Sequence, residues 1–109
     1  IIAMDKKYIT IAGAEHRVEA NWNAITSYLA SRGKDNLQGL SDISALQPTE
    51  IPHLMAACIN EGERLEGHDC ALTAEWIGEN CGMTEMSEFI TVYCKMVTPQ
   101  LPAEKAKKE

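Results

Sequence analysis

The sequence predicts a mainly α fold with a short N-terminal β-hairpin, an α+β domain built as a small bundle of about four helices. Three observations predict it. β-Branched and alternating residues flank a glycine between positions 8 and 20. Later segments carry apolar residues at helical spacing, and Asn, Thr, Gly and Pro stand where those segments start and stop. With 109 residues the chain has room for one domain. Residues 5–98 are expected to form it, and 99–109 to trail as a flexible tail.

Tyr8, Ile9, Thr10 and Ile11 suit a pleated surface. Ala12, Gly13 and Ala14 follow, and Gly13 can take the positive φ of a short hairpin loop. From Glu15 to Ala20 the chain alternates, with His16, Val18 and Ala20 on one face and Glu15, Arg17 and Glu19 on the other. A two-stranded hairpin is marginal alone. It must lie on helices, gain a strand or pair with a second subunit, and its open edges favour a homo-oligomer.

A first helix is expected from Asn21 or Asn23 to Arg32, capped by one of those asparagines. Trp22, Ile25 and Leu29 form its expected buried stripe, and Gly33 closes it. Leu37, Leu40, Ile43 and Leu46 then recur every three residues, as in a short helix or an apolar-anchored loop, and Ser41 can cap a turn at Asp42. Thr49 is the expected cap of a second, central helix, with Pro52 in its first turn, where a missing N–H costs nothing. Ile51, Leu54, Met55, Cys58, Ile59 and Leu65 line one face, and Gly67 is the stop. Thr73 caps a third helix, with Leu72 set to staple onto Ile77, and Gly82 ends it. Thr84 caps a fourth, striped by Met86, Phe89, Ile90, Tyr93, Met96 and Val97. Pro99 and Pro102 break regular structure, and the polar stretch from Ala103 buries too little to repay ordering.

A net charge of −6 argues against nucleic acid, whose phosphates need clustered Lys and Arg. No apolar run is long enough to span a bilayer. Residues 1–7 lack the apolar core of a signal peptide, with Met4 the expected start, so Cys58, Cys70, Cys81 and Cys94 are expected as free thiols in a cytosolic protein. His16, His53, His68, Asp69 and those cysteines fit no zinc spacing. No pattern sets a Cys where its thiolate would be favoured. Phosphate-binding glycine motifs are absent. Trp22 and Trp76 fall on helical stripes and are assigned to the core. Glu61, Glu63, Glu66 and Asp69 lack the order of a calcium loop and are expected to form a solvated helix end. No catalytic, cofactor-binding or metal-binding residue is therefore assigned, and the expectation is a binding protein, not an enzyme.

Residues 8–20, running into Trp22, Asn23, Ala24 and Ile25, resemble the opening of tail assembly chaperones of long-tailed bacteriophages and prophages. The similarity continues through Leu40-Ser-Asp-Ile-Ser, through Glu50 to the acidic, Gly-containing end at Gly67, and into Leu72-Thr-Ala-Glu-Trp-Ile, covering roughly residues 8–98. The resemblance implies a non-catalytic protein of the host cytoplasm. It would hold the tape-measure protein until tail-tube subunits assemble around it. Covering exposed apolar heptads would prevent their aggregation. The rival expectation is a small helical regulatory protein, antitoxin or repressor-like, against which stands the missing basic recognition helix.

The resemblance also implies a second, longer product made by −1 ribosomal slippage. Ala106, Lys107 and Lys108 permit the slippery run A-AAA-AAG, although a solubilising Lys/Glu tail explains the same residues. Sequencing the coding DNA checks this. Slippage requires the run at codons 106–108 and an open −1 frame beyond it; a frame that closes within a few codons removes it.

Overall fold

A computed structural model describes residues 6–35, 40, 43 and 46–97. The expected tail at 99–109, with Leu37, Ser41 and Asp42, lies outside the described residues. Strand β1 (Lys7–Ile11) pairs antiparallel with β2 (Ala14–Val18), Ile11 opposite Ala14. Ala12 at φ 53 and Gly13 at φ 84 form the two-residue loop. Positive φ at both positions gives the turn twist that matches paired strands. Ala14, expected in the loop, therefore belongs to the strand. Ile9, Ile11 and Val18 point into the core. Among the described residues the sheet stays two-stranded. It is stabilised by lying on helices, β2 against the second helix and β1 against the last.

Helix α1 (Trp22–Arg32) starts where Asn21 accepts a hydrogen bond from the Ala24 N–H, and stops where Gly33 turns left-handed at φ 66. Its buried stripe is Ala24, Ile25 and Tyr28, which corrects the expected Trp22, Ile25 and Leu29. Trp22 is 64% exposed and Leu29 only half-buried. Two polar anchors set the rotation. Asn21 and Asn23 both reach Glu61, and the buried Tyr28 hydroxyl donates to Glu50 at 2.8 Å. A buried phenol needs a partner, and the turn that provides it leaves Trp22 outside.

A 3-10 turn, Pro48–Glu50, leads into α2 (Ile51–Leu65). Thr49 sits inside this turn and caps nothing. The Glu50 N–H bonds the Gln47 carbonyl at 2.8 Å, so tight backbone bonds satisfy donors that a side chain would otherwise serve. α2 is the central helix, packed on α1, β2 and α3 (Ala74–Asn80). Leu54, Met55, Cys58 and Ile59 are fully buried, but Leu65 is 42% exposed, beyond the cover of its neighbours. The helix ends with Gly67 at φ 87, the Gly67 N–H on the Arg64 carbonyl and the His68 N–H on the Glu63 carbonyl at 2.9 Å.

Gly62 has a different task. A Cβ there would collide with the Arg17 carbonyl of β2. One turn earlier, the Cys58 carbonyl accepts the Glu19 N–H at 3.1 Å, so helix and strand backbones are in direct contact.

Thr73 caps α3 by accepting from the Trp76 N–H, and Ile77 is buried beneath it. Gly82 serves the next helix instead of ending α3, which stops at Asn80 with Cys81 extended. The Gly82 N–H donates to the Glu85 carboxylate at 2.7 Å, and its carbonyl accepts from the Met86 N–H. Thr84 therefore lies within the first turn of α4 (Met83–Val97) and is not its cap. Phe89 and Tyr93 carry the buried stripe of α4. The Tyr93 hydroxyl donates to the Leu40 carbonyl at 2.6 Å, seating a connection whose Leu40 and Ile43 are buried in the core. Among the described residues no helix is long and apolar enough to cross a membrane.

Candidate functional site

Of the acidic end of α2, expected to be solvated, Asp69 is exposed and Glu66 half-buried, but Glu61 and Glu63 are buried and clamped. Glu63 is 8% exposed and Glu61 7%. Each carboxylate holds a different part of the chain. Glu63 accepts from His16 Nδ1 at 2.8 Å and His68 Nδ1 at 2.6 Å, joining β2 to the α2–α3 connection. The helix-ending backbone bonds at Gly67 and His68 place that second imidazole. Burial works against the Glu63 charge, but hydrogen bonds from His68 and His16 prevail and hold the carboxyl below its usual range. The His16 ring also stands edge-on to Trp76, centroids 6.3 Å apart.

Glu61 accepts two bonds from Arg64 and one each from Asn21 and Asn23, tying the start of α1 to α2. The Arg64 hydrogen bonds do most to lower this carboxyl to about 2, against the opposing effect of burial. Glu66 takes Arg17 at 3.0 Å and Lys6 at 3.5 Å from the hairpin.

Beside this network runs an open groove in two lobes that share Ser27, Ala57 and Asn60. One lobe, of about 380 Å³, is walled by Glu61, Arg64, His68, Asp69 and Cys70. The other, of about 240 Å³, reaches Ser31, His53, Ala56 and the start of α3 at Leu72, Thr73 and Ala74. α1 supplies one wall, α2 the floor and the α2–α3 connection the other wall. Asn60 fixes that last wall, its side chain donating to the Leu72 carbonyl and accepting from the Leu72 N–H.

The residues weighed from sequence are scattered among different places. His16 and His68 meet at Glu63, whereas His53 lies apart in the first turn of α2. Cys58 is in the core, where burial pushes its thiol far up; burial also raises Cys70 and Cys81. All four cysteines are unpaired. Among the described residues no group of three His, Cys, Asp or Glu side chains is placed to hold a metal ion. Trp76 is half-buried against the core, and Trp22 stands in solvent. Sequence reasoning missed Gly62 and Asn60. A glycine inside a helical stretch was the available signal for the first; nothing local pointed to the second. No family model, curated protein or solved structure matches this chain.

Proposed function

We propose that the chain is a tail assembly chaperone of the long-tailed phage or prophage kind. In this role it binds the tape-measure protein in the host cytoplasm, assists tail-tube assembly and performs no catalysis. The resemblance over residues 8–98 names the partner. The observation that carries protein binding is Trp22, 64% exposed at the start of a helix whose other large apolar side chains, Ile25, Tyr28 and Leu29, are buried or half-buried. Trp is among the residues enriched at the positions that dominate binding energy. Tyr8, Leu65 and Met83 add exposed apolar surface.

Co-expression with a long coiled-coil tape-measure protein tests the role. A soluble complex is expected where the coiled-coil protein alone aggregates; aggregation undiminished by the chain rejects it. Trp22→Ala is expected to leave thermal stability within about 0.5 kcal/mol of the parent, as an exposed site should. It should weaken the complex about 30-fold, the cost of removing an anchoring aromatic. Trp76→Ala is expected to do the reverse, costing about 2 kcal/mol of stability through lost packing, with binding unchanged once folded protein is compared. Calorimetry of both variants, with and without partner, separates the two.

A further inference from the structure

We infer that the groove between α1, α2 and the α2–α3 connection docks an amphipathic helix with basic flanks. This inference rests on the protein-binding role proposed above and gives it a surface.

Most polar groups of the groove are already engaged within the protein, Ser27, His53 and Asp69 being the exceptions among the described residues. Ser31 bonds the Tyr28 carbonyl, and Asn60 is used at both ends by Leu72. Thr73 holds the Trp76 N–H, Arg64 is spent on Glu61, and His68 on Glu63. A small polar ligand would find few free partners. The groove instead offers shape, with small side chains at Ser27, Ala56, Ala57 and Ala74. Its floor follows α2 from His53 to Arg64, which at the rise of an α-helix is about 16 Å, or three turns. That length and shallow section suit apolar side chains presented from one stripe of a helix.

Charge selects the flanks of that helix. The Arg64 guanidinium at the rim is neutralised by Glu61. Asp69 in the wall and Glu75 beside Ala74 are exposed and form no ion pair among the described residues, on a chain of net charge −6. Lysines or arginines beside the apolar stripe would meet Asp69, the unpaired carboxylate that lines the groove.

The probe is a synthetic helical peptide of three Leu/Ala heptads with Lys flanks, titrated into isotope-labelled full chain by NMR. Amide shifts are expected at Ser27, Ala57, Asn60, Asp69 and Ala74. The same peptide with Glu flanks should bind about 10-fold more weakly. Asp69→Lys should weaken the Lys peptide about 5-fold and narrow the gap between the two peptides. Ala57→Trp, which fills the groove, should abolish the shifts, with its fold checked by circular dichroism. If Ala57→Trp is unfolded, Ser27→Trp fills the opposite wall and is read the same way. Shifts confined to other surfaces, equal affinity for both peptides, or no titration at millimolar peptide overturns the groove. A groove-filled, folded variant that still solubilises the coiled-coil protein overturns the groove while leaving the chaperone role standing. Peptide binding here without any effect on the coiled-coil protein supports the groove and removes that role.

Discussion

Replacing Gly62 with alanine is expected to cost about 3 kcal/mol or more, the upper end for forcing an extra methyl into a packed site. The new Cβ would meet the Arg17 carbonyl, a backbone atom held by the strand ladder on one side and by the adjoining Glu19–Cys58 bond on the other. Backbone cannot swing aside as a long side chain can. Helix α2 must therefore move off β2, opening the contact that buries Val18 and Ile59. In a domain of this size the loss corresponds to a fall in Tm on the order of 15 °C. Gly78 provides the control. It lies within α3, and a Cβ there meets nothing within 4 Å. Gly78→Ala should stabilise by about 0.5–1 kcal/mol through helix propensity alone. Thermal melts of both variants decide the matter: a Gly62→Ala protein that melts like the parent would mean that helix and strand are not in contact.

Acid is expected to remove a comparable amount of stability, mainly between pH 4.5 and 2. Hydrogen bonds from Arg32 lower Glu50 from 4.5 to about 2, with help from the Tyr28 hydroxyl and against the effect of burial. Glu61 falls to the same value chiefly through Arg64. Both carboxyls are depressed in the folded chain, so in this window the unfolded chain binds more protons. Their stabilisation is complete above the unfolded value and is lost as pH falls through the folded one. Allowing for solvent around the arginines, each contributes on the order of 1–2 kcal/mol. Glu63, lowered against its own burial by two histidines, adds to the loss in the same direction. Urea unfolding at pH 6, 4.5, 3 and 2.5 should show the midpoint dropping across the lower three. Glu50→Gln and Glu61→Gln should each start less stable at pH 6 and fall less steeply. A parent midpoint constant from pH 4.5 to 2.5 would show that these clamps do not form.

By itself the sequence determined the features that depend on neighbours along the chain. Gly13 turns the hairpin, Asn21 and Thr73 accept free N–H groups in the first turns of α1 and α3, and Gly33 and Gly67 end α1 and α2 with positive φ. The apolar period of α2 and α4 was readable because many positions repeat it, although α2 is buried on more than one side, against α1, β2 and α3. Even local signals failed where another group did the work first: a tight backbone turn at Thr49, and the Glu85 carboxylate beside Thr84. Only the tertiary structure decided the rest. In α1 two stripes share Ile25, and periodicity cannot choose between them. Partners brought by the fold, Glu50 for Tyr28 and Glu61 for the asparagines, turned Trp22 outward. The acidic residues at the end of α2 looked solvated because their partners lie far off in sequence: His16 is 47 residues from Glu63, and Arg17 49 from Glu66. A buried carboxylate is stable only where such partners converge. That convergence, like the groove between α1 and α2, arises when the elements pack and is written in no single segment.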